Sequence, residues 1–249
     1  MRRLLITAQR CIKEIIGRLD LFAGGFIQSK HLSLLRPEPL VPVITIRDLI
    51  GNDISLQLTE VDLVNGNISP SELIVIAALV HQAAPRVCFE IGTFDGCTTV
   101  NLAANQPSDG HVFTLDLPAS GKSATLLPLD KLDGQYIDKP SSGARIPGHQ
   151  HAKRITQLYG DSAIYDFSDF HDKVNFMFVD GSHSYYYVKS DSQVAVKLVP
   201  RNAGLILWHD YNTRYWHGVT RALNELYSTH PEFSGLRHIQ NTTLCILQR

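Results

Sequence analysis

The sequence predicts an α/β protein, a doubly wound and mostly parallel seven-stranded sheet with helices on both faces and an antiparallel hairpin at its C-terminal end. Three observations lead there. Short apolar runs (VCFEI, HVFTLDL, ITQLYGD, VNFMFVD, GLILWHD) alternate with helical stretches, the pattern of a parallel sheet covered on both sides. Four of these runs close on Asp116, Asp161, Asp180 and Asp210, so four carboxylates fall on the rim where open sheets of this kind bind ligands. The last two apolar runs, LRHIQ and TTLCILQR, leave no room for a helix around the polar Asn241 and must pair as a hairpin.

The elements follow in order. With 249 residues, one core suffices, and the expected division is an N-terminal extension and connection over 1–68 and the α/β domain over 69–249. Leu5, Ile12, Ile15, Ile16, Leu19 and Phe22 recur at three- and four-residue steps, the spacing of an amphipathic helix. Its apolar face would pack on the body of the protein or on a second subunit of a homo-oligomer. Its excess of arginine and lysine also admits membrane-surface contact through residues 1–22. Residues 31–65, with Pro37, Pro39 and Pro42, read as an irregular connection. Ser69-Pro70-Ser71-Glu72 then reads as a capping box with proline at the first helical position, ahead of LIVIAALVHQAA. Glycines and prolines crowd residues 118–152, which read as a loop insertion without regular structure, and a loop of that length is often a lid.

Composition excludes several classes of function. Basic and acidic residues nearly cancel, 23 against 24, so no global positive field draws the chain to nucleic acid, and a small, nearly neutral ligand fits better. Cys11, Cys88, Cys97 and Cys245 are scattered without a CxxC pair, as in a reduced, cytoplasmic protein. The first apolar stretch is broken by Gln9, Arg10, Lys13 and Glu14, too early for a signal peptide, and no window approaches transmembrane length.

The chemistry begins at EIGTFDGCTT, Glu90 to Thr99, a strand-to-helix turn in which Gly92 and Gly96 let backbone approach a ligand. Phe94 stands where a dinucleotide turn has its middle glycine, which disfavours a pyrophosphate. Glu90 and Asp95 add negative charge that suits a ligand bearing an ammonium and a sulfonium. Asp116 lies 24 residues beyond Gly92, near the interval at which this fold places an acid on ribose hydroxyls. Glycine turns and strand-end aspartates also occur as plain caps; in order on successive strands they point to a nucleoside. Asp161 would meet the adenine edge or cap a following helix.

The motifs EIGTFDG, TLDLP, ITQLYGDS, FVDGSHSYYYVK, LILWHDY and GVTRALNEL resemble the class I S-adenosylmethionine-dependent methyltransferases, especially the bacterial small-molecule group, over roughly Glu72 to Arg249. The resemblance implies methyl transfer from S-adenosylmethionine to a small-molecule acceptor, with a hydroxyl oxygen as the expected target. It implies that Glu90, Gly92, Thr93 and Gly96 border the methionyl moiety, that Asp116 and Leu117 hold the ribose, that Asp161 and Ser162 flank adenine, and that Asp180 adjoins the cofactor.

An alcohol or phenol acceptor must lose a proton. His183 and His209 are the candidate bases, each within three residues of a strand-end aspartate, Asp180 or Asp210, that would orient it. A divalent cation such as magnesium is the second route, with Asp180, Asp210 and Asn212 as oxygen ligands; catechol-type methyltransferases use an Asp-Asn pair there, whereas Tyr211 intervenes here. The histidine route is the expected one, because two imidazoles adjoin the acids. An NAD-dependent oxidoreductase is disfavoured by Phe94 and the terminal hairpin. A non-catalytic nucleoside- or partner-binding module on the same fold would have no use for His183, His209, Asp180 and Asp210. Calorimetry tests the cofactor: heat with S-adenosylhomocysteine and none with NAD is expected, and the reverse would overturn the reading.

Overall fold

The computed structural model describes residues 36–249 apart from 52, 53, 62 and 63, so the amphipathic helix expected at the N-terminus lies outside the described residues. The chain divides after Pro37, and its larger unit is Glu38–Arg249. The elements of that unit run β1 (Val43–Ile44), α1 (Ile46–Leu49), α2 (Pro70–Ala83), β2 (Val87–Ile91), α3 (Cys97–Asn105), β3 (His111–Asp116), α4 (Gly134–Ile137), β4 (Ile155–Tyr159), β5 (Phe176–Val179), α5 (Tyr185–Leu198), β6 (Leu205–Trp208), α6 (His217–Thr229), β7 (Arg237–Ile239) and β8 (Cys245–Gln248).

The strands form one sheet in the order β1-β7-β8-β6-β5-β2-β3-β4. The five apolar runs pair in parallel, and only β8 is antiparallel, running between β6 and β7. Because side chains alternate along a strand, each central strand feeds two cores. Phe89, Met177, Ile206 and Trp208 pack with Val188, Leu198, Leu223 and Leu226 on the α5–α6 side. Cys88, Phe176, Phe178 and Leu207 pack with Ile76, Leu79 and Leu102 on the α2–α3 side. Burial on both faces is why these strands are continuously apolar. Cys88, Cys97 and Cys245 are buried. Among the described residues no helix is long and apolar enough to cross a membrane.

Two expectations need correction. The sheet has eight strands, because β1, from the proline-rich connection, pairs in parallel with β7. It is held by His238 N–H to the Pro42 carbonyl at 2.8 Å and Gln240 N–H to the Ile44 carbonyl at 2.9 Å, a two-residue strand too short to leave a periodic signature. Residues 118–152 also carry more structure than their glycines and prolines imply. A 3₁₀ turn spans Ala119–Ala124, α4 follows, and Asp133, Ile137 and Ile146 are buried.

Helix starts aim the turns that matter. Ser69 accepts the Glu72 N–H at 3.3 Å to begin α2, with Pro70 in first position, and Ser184 accepts the Tyr187 N–H at 3.2 Å to begin α5. The first turn of α6 rests on the backbone just before α5: a β-carbon on Gly218 would lie 2.4 Å from the His183 carbonyl and 2.7 Å from the Tyr185 nitrogen. Gly218→Ala should therefore push α6 off this turn and lower the unfolding free energy by about 1–3 kcal/mol. An unchanged urea midpoint would contradict so close a contact.

Candidate active site

The turn after β2 is wedged between two neighbouring strand ends. Gly92 has φ +101°, and a β-carbon there would come within 2.0 Å of the Asp180 carbonyl oxygen, while its N–H donates to the Leu115 carbonyl at 2.8 Å. Phe94 also takes a positive φ, and Gly96, at φ +94°, caps α3. Above these strand ends lies a cavity of about 290 Å³. Its lining includes Gly92, Asp116, Leu117, Asp161, Ser162 and Asp180, together with Tyr136, His183, His209, Asp210 and Trp216.

Glu90, Thr93, Gly96 and Asn212 do not line this cavity. Glu90 is fully buried beneath it and accepts hydroxyl hydrogen bonds from Thr99 at 2.5 Å and Thr114 at 2.6 Å. Burial pushes its carboxyl pKa up to about 8, against the pull of those two hydroxyls. Asp95 is engaged by the Arg145 Nε at 2.8 Å, the Asn67 amide at 3.0 Å and the Cys97 N–H at 2.9 Å. The negative charge expected from Glu90 and Asp95 beside the turn is thus absent in one case and compensated in the other. The negative field of the cavity comes instead from the strand-end aspartates.

Those aspartates already have partners. Asp161 accepts from Leu126 N–H at 2.7 Å, Ala163 N–H at 2.9 Å and the Tyr187 hydroxyl at 2.7 Å; it braces the insertion and a turn, since no helix follows it directly. Asp116 pairs with Lys139 at 2.8 Å. Asp210 meets His183 Nε2 at 2.9 Å and His209 Nδ1 at 3.3 Å.

Both candidate bases are held between acids. His183 donates from Nδ1 to Asp133 at 2.7 Å and from Nε2 to Asp210 at 2.9 Å, and its ring stacks on Trp216 with centroids 3.8 Å apart. Burial alone would lower its pKa, yet the hydrogen bonds to Asp133 and Asp210 carry it up to about 10. His209 faces Asp180 at 3.1 Å through Nδ1 and Glu72 at 3.6 Å through Nε2. Burial opposes its protonation too, but the charges of Asp210 and Asp180 hold its pKa well above the usual value. With both ring nitrogens donating, His183 has no lone pair left for a substrate proton.

The same cluster can chelate. Asp180, His209 and Asp210 each offer a ligand atom, all within 4.8 Å of one another. Asn212, expected as the third ligand, is not among the residues that line the cavity, and its backbone N–H donates to the Thr220 hydroxyl at 2.9 Å. In the sequence His209 reads only as a base, and its suitability as a ligand depends on its ring sharing Asp180 and Asp210.

Residues the sequence left unmarked complete the site. Asp133 accepts from the Ser182 hydroxyl at 2.5 Å and the His183 N–H at 3.2 Å besides the imidazole. Glu72 accepts from Ser69 Oγ at 2.7 Å and from Thr243 N–H at 2.6 Å, which fixes it under His209. Asp133 and Lys139 sit in the insertion, where no spacing marks them; their partners are the 182–183 turn and Asp116.

The Methyltransferase domain family matches residues 89–211. Over that stretch the chain carries a methyltransferase domain. Solved structures share the fold at low identity. The O-methyltransferase from Bacillus cereus, in complex with SAH, is 18% identical with a TM-score of 0.50, over 74% of this chain and 84% of that one. The O-methyltransferase TomG from Streptomyces achromogenes, involved in tomaymycin synthesis and in complex with SAM, is 18% identical with a TM-score of 0.51, over 75% and 83%. The SAH-bound methyltransferase PaMTH1 from Podospora anserina is 13% identical with a TM-score of 0.52, over 73% and 79%. No curated protein matches the sequence.

Glu90 supplies a pH test of the buried floor. Its folded pKa of about 8 lies above the ordinary value of 4.5, so between those values the folded chain holds a proton that the unfolded chain releases. Its contribution to stability is full below pH ~4.5 and is lost as pH rises through ~8. Glu90→Gln should flatten the fall in unfolding free energy across that window, and parallel profiles for the two proteins would show that Glu90 is ionised in the fold.

Proposed function

We propose that the chain transfers a methyl group from S-adenosylmethionine to a hydroxyl oxygen of a small-molecule acceptor, with a divalent cation held by Asp180, His209 and Asp210. The observation that carries this reading is a single cavity shared by the Gly92–Asp116 rim and the Asp180–His209–Asp210 cluster. The O-methyltransferases from B. cereus and S. achromogenes, bound to SAH and SAM, have the same fold.

Bound S-adenosylmethionine supplies an electrophilic methyl group. Asp116 would accept hydrogen bonds from the ribose hydroxyls. Ser162 and the backbone beside it would take the adenine edge, since the Asp161 carboxylate is committed to Leu126, Ala163 and Tyr187. Gly92 lets the methionyl chain pass close to backbone.

The two carboxylates and the imidazole fit a divalent cation by donor type and proximity. Such an ion supplies Lewis acidity that lowers the pKa of an acceptor hydroxyl. His183, bonded at both nitrogens, orients Asp210 and is not the base. Its stack on Trp216, with Tyr136 beside both rings, gives the acceptor a rigid aromatic wall and limits water, which favours the in-line alignment that the displacement needs. Lys139, His183 and His209, the basic residues of the lining, all face carboxylates, so the acceptor is uncharged or cationic rather than a phosphate ester.

Dialysis against a chelator should abolish turnover of phenol and sugar acceptors, and magnesium should restore it. Asp210→Asn should lower kcat by a factor on the order of 10² or more with little change in S-adenosylhomocysteine affinity. Full activity in chelator would remove the cation from the mechanism. Asp116→Ala should weaken S-adenosylhomocysteine by about 1.5–3 kcal/mol in calorimetry, the range for hydrogen bonds to a charged group; unchanged affinity would place the ribose elsewhere.

A further inference from the structure

The carboxylate assigned above to the ribose is already in use. Lys139 Nζ lies 2.8 Å from Asp116 Oδ2, and both side chains are only 10% exposed. The ammonium also donates to the Tyr136 carbonyl at 3.0 Å and stands 6.0 Å from the centre of the Phe94 ring. We infer that Lys139 competes with the cofactor ribose for Asp116 and thereby sets cofactor affinity; this rests on the proposed role of Asp116.

The argument is one of donors and space. An ion pair this far from water cannot lose one partner without a large penalty, because the remaining charge stays buried. The ammonium can leave Asp116 only when another donor arrives, and a ribose diol brings two O–H groups suited to the two oxygens of a carboxylate. Oδ2 is sealed from solvent, accepts no hydrogen bond and lies at ion-pair distance from Nζ, so a diol that engages both oxygens needs the position that Nζ holds. Lys139 can yield it. Its side chain is long, it follows directly on Asp138, the residue closing α4, and Asp138 is bonded by Lys122, so a second carboxylate lies at the adjoining position.

Lysine in this place acts as an internal competitor. If the pair is closed in about nine molecules of ten, apparent cofactor affinity falls about tenfold. The segment that carries Lys139 also carries Tyr136, which lines the same cavity beside His183 and Trp216, so release of Asp116 by the ammonium reaches that wall too.

The test uses the full chain with Lys139→Met, which keeps the apolar stem over Phe94, Lys139→Gln as a second neutral variant should the methionine protein fail to fold, and Lys139→Arg, which keeps the cation. Calorimetry with S-adenosylhomocysteine and ligand-observed NMR with adenosine and 2′,3′-dideoxyadenosine give the affinities. Competition for the ribose site predicts about tenfold tighter binding of S-adenosylhomocysteine and adenosine in the neutral variants, no gain for dideoxyadenosine, which has no ribose hydroxyls to offer, and wild-type behaviour for arginine. Unchanged or weaker S-adenosylhomocysteine binding in the neutral variants, or equal tightening of dideoxyadenosine, overturns the inference and leaves the proposed function standing. A wild-type protein that binds neither S-adenosylhomocysteine nor adenosine overturns both.

Discussion

The backbone contact between Gly92 and the Asp180 carbonyl is the constraint on which the site depends. A β-carbon would have to sit 2.0 Å from that oxygen, so only glycine lets the turn after β2 lie against the end of β5. Parallel pairing of β2 with both β3 and β5 then sets Asp116 on one side of the turn and Asp180 on the other. One further strand brings His209 and Asp210 alongside. Nucleoside rim and acid cluster are neighbours because two peptide groups touch, and the two cores beneath keep those strand ends from moving apart.

The second organising fact is charge. Asp116, Asp133, Asp161, Asp180 and Asp210 all border a cavity of about 290 Å³, where mutual repulsion is weakly screened. The fold answers each with a different partner: an ammonium for Asp116, an imidazole for Asp133 and another for Asp180, both imidazoles for Asp210, and neutral donors for Asp161. Glu90 adds no sixth charge because it lies too deep to ionise at neutral pH. The proposed cationic cofactor and divalent ion would enter a field of the right sign, and no lining cation stands without a carboxylate.

Much of this was legible in the sequence because it rests on local pattern. Apolar runs closing on aspartate marked the strands and the rim, Ser69-Pro70-Ser71-Glu72 marked the start of α2, and the two runs around Asn241 marked the antiparallel β7–β8 pair. What escaped depends on contacts between segments far apart in the chain. Spacing alone offered Asn212 as a ligand, whereas the fold leaves it out of the cavity lining. Proximity to an aspartate made His183 and His209 look like bases, but the second carboxylate on each, Asp133 from the insertion and Glu72 from α2, changes what an imidazole can do. A motif gives a histidine one neighbour; the fold supplied two. Strand β1 was invisible because two residues have no period.

The insertion over 118–152 has a consequence for how this enzyme could change. It is fastened at Asp133 to the 182–183 turn, at Lys139 to Asp116, and at Gly143 and Arg145 to the backbone of Phe94 and Asp95. One stretch of chain therefore bridges the part of the site proposed to face the acceptor and the part proposed to face the nucleoside. Substitutions that refit it to a new acceptor will be non-additive with those on the cofactor rim, since they share partners. Acceptor range and cofactor grip are inherited together here, and an evolutionary or engineered route that alters one must pass through the other.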